Sequence, residues 1–278
     1  MKVNDIYLVT FSPTHTSERV AAAIAQGFSE TKPVEVNLTY QSAGSLVIPQ
    51  KALTIFALPV YGGHLPPLAL ERMKDIRSEG KGPAVAVVVY GNRAYEQALQ
   101  ELDAVITGKG FQVISGGTFI GEHSYSTDQY PIAAGRPDAA DLEYAHLYGE
   151  KIRTKVEASV DADHLYGVDV RKILRPRQPF FPLMRFFYKV VKLRKSGQPL
   201  PRTPQVKEEA CTHCGTCASV CPTGAIAIGD ECHTQADLCL RCCACVKECP
   251  QLARTYDTPF AQLLSSCFHR EKENRIIL

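Results

Sequence analysis

No cysteine occurs before residue 211, no apolar run reaches the length of a bilayer span, and neither sign of charge predominates. The first absence splits the chain into a cysteine-free front and a cysteine-rich end, and 278 residues are enough for two domains. The longest apolar stretches, such as 84–90, have the length of a strand and cannot cross a membrane. The opening MKVND runs straight into an expected strand and lacks the apolar core and cleavage site of a signal peptide, so a cytoplasmic location is expected. A net charge of +2 from 31 basic and 29 acidic side chains gives no case for nucleic acid as a partner. A glycine-rich dinucleotide fingerprint is also missing, which speaks against direct oxidation of NAD(P)H.

What the end of the chain does have is one four-cysteine phrase written twice. Cys211, Cys214, Cys217 and Cys221 follow C-x2-C-x2-C-x3-C with Pro222 next, and Cys239, Cys242, Cys245 and Cys249 repeat it before Pro250. Soft thiolates at this density suit cubane iron–sulfur clusters. Zinc would instead favour paired ligands with a longer gap between the pairs. In this spacing three cysteines wrap one cluster and the fourth reaches the other. The expected sets are Cys211, Cys214, Cys217 and Cys249 for cluster 1, and Cys239, Cys242, Cys245 and Cys221 for cluster 2. Such an exchange staples together a segment whose hydrophobic core is small. Cys232, Cys243 and Cys267 are left over and read as reduced thiols or packing residues. Spacing selects Cys242 over its neighbour Cys243. No disulfide framework is indicated, in keeping with a reducing compartment.

The balanced net charge conceals one basic block. Residues 171–207 hold eleven Lys or Arg and no Asp or Glu, which leaves −9 for the rest when subtracted from +2. Within it, residues 180–194 interleave aromatic and basic side chains at near-helical spacing, and prolines 176, 179, 182, 199, 201 and 204 bracket them. Two readings stand: a helix making peripheral contact with a membrane or an acidic partner, or an interdomain segment whose aromatics pack internally. The second is preferred, because a linker between coupled redox domains has surface to bury.

The front reads as alternating strands and helices, which argues for a parallel sheet covered on both faces. Strands are expected at 6–11, 34–38, 53–59, 84–90 and 113–120, and helices at 17–29, 67–78, 95–108 and 138–160. The rhythm fits an α/β, doubly wound parallel five-stranded sheet in the flavodoxin-like order 2-1-3-4-5, with a ligand at the carboxyl ends of the strands. After the first strand, Ser12, Thr14, Thr16 and Ser17 supply hydroxyls at the start of an alanine-rich helix, a place suited to a phosphate. This loop resembles the flavodoxin phosphate loop S/T-x-T-G-x-T/S, with His15 standing where that motif has glycine. The loop after the third strand offers Pro59, Val60, Tyr61, Gly62 and Gly63, and the loop after the fourth offers Gly91, Asn92, Arg93 and Tyr95. Glycines admit backbone groups close to a flavin ring and tyrosine offers it a stacking face, so the three loops together point to FMN. A fourth loop, GEHSYS from residue 121, is long enough to be a lid or a docking surface. His123 and Tyr125, with His64, are the weak candidates for proton donation to reduced flavin; the alternative is that such residues hydrogen-bond their own loop.

The phrases FSPTHTS, PVYGGHLPPLALERM, YGNRAYEQAL and GEHSYS, with the twin cysteine motifs, resemble the flavodoxin–ferredoxin fusion proteins often called EFR-type ferredoxins, over nearly the whole length. The resemblance implies a flavodoxin-like FMN-binding domain at 1–160 and a basic, aromatic, proline-rich connector at 161–205. A small α+β ferredoxin-like domain with two [4Fe-4S] clusters at 206–257 and a C-terminal helix and tail at 258–278 complete it. It also implies electron transfer between clusters and FMN, with redox proteins as donor and acceptor. A small-molecule reductase fed by the clusters and a non-catalytic redox sensor stay open as alternatives, as does a homodimer.

Overall fold

The computed structural model describes residues 1–161, 164–197 and 199–278; residues 162, 163 and 198 of the expected connector lie outside the described residues. The chain divides into two compact units, each assembled from separate stretches. The first comprises Met1–Glu122, Gly135–Pro176 and Lys272–Leu278, and the second His123–Ala134 and Arg177–Glu271.

The first unit is an α/β layer structure. Its strands are β1 (Ile6–Thr10), β2 (Val34–Asn37), β3 (Leu46–Ile48), β4 (Leu53–Pro59), β5 (Ile76–Ser78), β6 (Pro83–Tyr90) and β7 (Gln112–Ile120). Its helices are α1 (Thr16–Phe28), α2 (Pro67–Arg72), α3 (Ala98–Gly108) and α4 (Ala139–Ala158). β2, β1, β4, β6 and β7 pair in parallel in that spatial order, so the five expected strands take the expected 2-1-3-4-5 arrangement. β6 reads PAVAVVVY and is buried at every position, the pattern of a central strand covered on both faces. α1 and α4 pack on one face with Ile24, Phe28, Tyr148, Ile152 and Val156 in the core. Gly27 and Gly149 let their backbones meet, since a β-carbon on either would collide with the backbone of the opposite helix.

Two features depart from the sequence reading. The helix expected at 67–78 stops at Arg72, and the chain turns into β5, which pairs in parallel with β3. Met73 and Ile76 are both buried, and the Arg72 guanidinium bonds the Leu38 and Thr39 carbonyls, so the apolar spacing that suggested a continuous helix serves a turn and a strand. The expected five-stranded sheet also gains a sixth strand: Arg275–Ile277, in the tail, pairs antiparallel with β7. Side chains lock it in place. Asn92 Oδ1 accepts from the Lys272 N–H at 2.8 Å, and Asn274 Oδ1 accepts from the Ile120 N–H at 2.9 Å. Asn274 Nδ2 donates to Asp141 at 2.7 Å, and Ser115 Oγ donates to the Ile277 carbonyl at 2.6 Å.

The second unit contains α5 (Phe180–Lys195), α6 (Thr216–Ser219), α7 (Ala244–Lys247) and α8 (Pro259–Cys267), with Gln205–Val206 paired antiparallel to Arg254–Thr255. α5 lays Leu183, Phe186 and Val190 against Leu263, Leu264, Cys267 and Phe268 in a core that also holds Ile132 and Tyr125. Phe186 and Phe268 meet edge to face at 5.2 Å. No described helix is long and apolar enough to cross a membrane.

Candidate functional sites

The cysteine repeat folds as a structural repeat. Left-handed φ angles recur 28 residues apart at His213 and Arg241 (52° and 56°), Gly215 and Cys243 (76° and 60°), and Gly224 and Leu252 (64° and 51°). The last cysteine of each copy accepts a backbone N–H four residues on: Cys221 Sγ from Ala225 at 3.2 Å and Cys249 Sγ from Ala253 at 3.3 Å. Between the copies Cys217, Ile226 and Cys245 form a small shared core.

Each expected set of four cysteines lines one cavity. Cys211, Cys214, Cys217 and Cys249 line one, with Pro250 and Arg254 in its wall. Cys221, Cys239, Cys242 and Cys245 line the other, walled by Pro204, Ile226, Leu240 and Ala244. Each cavity draws the first three motif cysteines from one copy and the last motif cysteine from the other. Four thiols around a mainly apolar space is a donor set that suits a soft, compact cluster. Burial pushes the Cys242 thiol up to about 12, and it pushes Cys245 up to about 11 against the lowering influence of Arg254. Metal that binds there displaces protons. Cys214 is the exposed thiol, and hydrogen bonds from Thr216 hold it below the ordinary value.

The spare cysteines fall in different settings. Cys267 is a buried packing residue. Cys243 also lines the second cavity, but it fills the left-handed position of Gly215 and its Sγ donates to the Arg241 carbonyl at 3.6 Å. Cys232 lies nearer the chemistry than its position in the sequence suggests: its Sγ stands with Cys211 and His213 ligand atoms, all within 4.8 Å of one another. Sequence reading also passed over Arg254 and Glu231, both buried between the repeats. A lone charged residue outside a motif gives no spacing signal.

In the first unit, parallel strands send four loops from one sheet edge. In the loop after β1, His15 takes φ 61°, so a histidine holds the left-handed turn that suits glycine. Ser12 is buried; its N–H donates to Thr39 Oγ1 at 2.8 Å and its Oγ accepts from the Glu18 N–H at 3.1 Å. Ser17, at the start of α1, is fully buried and its hydroxyl has no hydrogen-bond partner. An orphaned hydroxyl beside a helix N-terminus is a fitting place for a phosphate oxygen. Thr14 and Thr16 are half-buried alongside. Gly121, at the end of β7, comes so close to Thr16 that a β-carbon would lie 3.2 Å from it.

The loop after β4 is a tight turn. Pro59 and Val60 lead into it half-buried, Tyr61 and His64 exchange backbone hydrogen bonds of 2.8 and 3.2 Å, and Gly62 and Gly63 both take positive φ. The His64 ring, exposed, pairs with Glu101. After β6, Gly91 is half-buried, Asn92 takes φ 61°, and Arg93 pairs with Glu96. Tyr95 does not offer a free face: it is buried edge to face on Tyr90, and its hydroxyl donates to the Ile173 carbonyl at 3.2 Å. The Asn92 side-chain oxygen likewise accepts from Lys272.

The fourth loop leaves the first unit altogether. The Glu122 N–H and carboxylate bond Arg136 and Gly135, closing the neck of an excursion whose residues 123–134 belong to the second unit. There His123 Nδ1 accepts from the Tyr125 N–H at 3.0 Å, and Tyr125 lies against Tyr256 with ring centres 5.0 Å apart. Burial, reinforced by Tyr256, pushes the Tyr125 phenol well up. Lys247 Nζ donates to the Ser126 carbonyl at 3.0 Å. The three weak catalytic candidates thus divide, with His64 in the first unit and His123 and Tyr125 in the second.

Comparisons with known proteins follow the same division. The 4Fe-4S binding domain family (Fer4) matches residues 204–227, which include the whole first cysteine motif. Among solved structures, a flavodoxin from the domain Archaea is similar at 15% identity and a TM-score of 0.40, covering 55% of this chain and 99% of that one. A Streptococcus pneumonia TIGR4 flavodoxin matches at 18% identity and 0.41, covering 55% of this chain and 100% of its own. An azoreductase from Bacillus anthracis str. Sterne matches at 11% and 0.38, covering 54% and 100%. Likeness at these levels carries no weight on function, and the flavodoxin-like fold rests on the chain's own sheet order. No curated protein matches the chain. The chain therefore combines a flavodoxin-like α/β unit with a 4Fe-4S binding domain.

Proposed function

We propose that the chain is an electron-transfer flavo-iron–sulfur protein that passes electrons between two [4Fe-4S] clusters and FMN, and on to a redox partner. The observation that carries the reading is the pair of cavities, each lined by four motif cysteines drawn from both copies, with Cys243 in addition at the second. The buried, unpartnered Ser17 hydroxyl beside the left-handed turn at His15 supports FMN in the first unit. The EFR-type flavodoxin–ferredoxin fusions are the family this reading resembles. When bound, the clusters carry electrons singly and FMN holds one or two.

The residues around these groups have separate tasks. Cys211, Cys214, Cys217 and Cys249 hold one cluster, and Cys239, Cys242, Cys245 and Cys221 hold the other. Ser12, Thr14, Thr16 and Ser17 receive the phosphate at the positive end of α1. Gly62 and Gly63 keep the rim of the ring site free of side chains, beside Tyr61. Having both carriers on one chain replaces a diffusional encounter with a high effective concentration.

The outward stripe of α5 supports a peripheral contact as well. Phe180, Phe181, Met184, Phe187, Tyr188 and Val191 are exposed there, among five basic residues and no acidic one. That mixture matches an anionic membrane surface.

Anaerobic purification with iron, sulfide and flavin quantified tests the main reading. It expects about eight irons and about one FMN per chain. Iron without flavin after reconstitution with FMN removes the flavin half of the proposal. Zinc in place of iron removes the other half.

A further inference from the structure

Arg254 is an arginine in a place that ordinarily excludes one. It is 3% exposed, and none of its hydrogen bonds goes to a carboxylate. One nitrogen donates to the Glu231 carbonyl at 2.6 Å and to Thr234 Oγ1 at 3.1 Å. The other donates to Thr234 Oγ1 at 3.2 Å and reaches Cys245 Sγ at 3.5 Å. Arg254 also stands in the wall of the other cavity, the one lined by Cys211, Cys214, Cys217 and Cys249. The Glu231 carboxylate is engaged elsewhere, with His213 at 3.0 Å and the Gly229 N–H at 2.8 Å. Neutral acceptors alone do not offset the desolvation of a buried cation. An anionic centre on either side does, and arginine cannot shed its proton to escape the cost.

We propose that the Arg254 guanidinium is a fixed positive charge shared by the two cluster sites, which raises the reduction potential of both clusters. The proposal rests on the two-cluster reading given above. Each cluster reduction adds one electron, and so one negative charge, next to this guanidinium. Hydrogen bonds and positive charge at ligand sulfurs stabilise the more negative state. Because the guanidinium reaches a sulfur of one set and walls the cavity of the other, the effect falls on both sites. It also moderates the repulsion between them when both are reduced.

The experiment is an anaerobic spectroelectrochemical titration with dithionite as the electron source, on wild type, R254Q and R254K, each with iron and sulfide quantified. In cluster-loaded R254Q, both potentials are expected to fall. At a fixed poise the reduced-to-oxidised ratio of each should drop about tenfold, or about 59 mV for a one-electron couple. Unchanged potentials in loaded R254Q overturn the proposal. Should R254Q fail to assemble, R254K decides: one ammonium cannot both bond the Cys245 sulfur and fill the wall of the other cavity, so one potential falls while the other holds. Wild-type potentials for both clusters in R254K overturn the shared position. A wild-type chain that holds no clusters sinks the two-cluster reading itself, and the iron and sulfide assay reports that separately.

Discussion

Cys243 occupies in the second cysteine motif the left-handed backbone position that Gly215 holds in the first, with φ 60° against 76°. A non-glycine residue in that conformation costs about 1–2 kcal/mol. The correspondence makes Cys242 the counterpart of Cys214, although Cys242 and Cys243 both border the same cavity. C243G should keep a full complement of iron, while C242S should lose about half. Equal iron loss in the two variants would contradict the register of the repeat.

Exchange of the fourth ligand predicts cross-damage. C221S should perturb the cluster held by Cys239, Cys242 and Cys245, and C249S the cluster held by Cys211, Cys214 and Cys217. Electron paramagnetic resonance of the reduced variants separates the two, because each should retain the signal of a different cluster. Damage confined to the motif that carries the mutation would refute the exchange.

The lone Ser17 hydroxyl makes a prediction for flavin. A hydrogen bond to a charged group contributes about 1.5–3 kcal/mol, so S17A should weaken FMN binding tenfold or more. H15G should bind at least as well as wild type, since glycine takes the turn without strain. Fluorescence quenching on titration with FMN measures both. Unaltered affinity in S17A would move the phosphate elsewhere.

Acid sensitivity of the first unit centres on Asp141. Burial alone would raise its carboxyl, but hydrogen bonds from Arg136, the Asp138 N–H and Asn274 hold it below the usual carboxylate value. A depressed carboxylate stabilises the fold above its unfolded value, near 3.9, and loses that contribution as pH falls through the lower folded value. Thermal midpoints of wild type and D141N should therefore differ at neutral pH and converge below about pH 4. A gap that stays constant with pH would rule out this origin.

For α5, co-sedimentation with vesicles discriminates between the readings. Binding to phosphatidylserine-containing vesicles, lost in high salt and in an F181S/F187S double variant, is the expected pattern. Equal binding to neutral vesicles would remove the charge-based part of the reading, and binding to neither kind would leave the helix as a packing element only.

The five parallel strands were legible in the sequence because β4 and β6 are nearly continuous apolar runs and β7 is long and ends on apolar residues. Short elements were not. Ile76–Ser78 and Arg275–Ile277 have three residues each, too few to carry a period, and exist through partners far away in the chain. The phosphate-type loop could be read from its hydroxyls, but the burial of Ser17 and the engagement of Tyr95 depend on tertiary packing. Residues 121–126 showed that a loop was long, not that 123–134 belong to the second unit. The cysteine sets were legible through spacing alone, whereas Arg254 became visible only once its neighbours were known.

The antiparallel strand at Arg275–Ile277 sets a schedule for biosynthesis. The ribosome releases β1 through β7 long before this edge strand, and the whole cysteine-bearing segment emerges in between. The front sheet stays one strand short until that segment has been made. Substitutions within Lys272–Leu278 leave every cysteine in place yet strike the front sheet, far away in the chain from the strand they disturb.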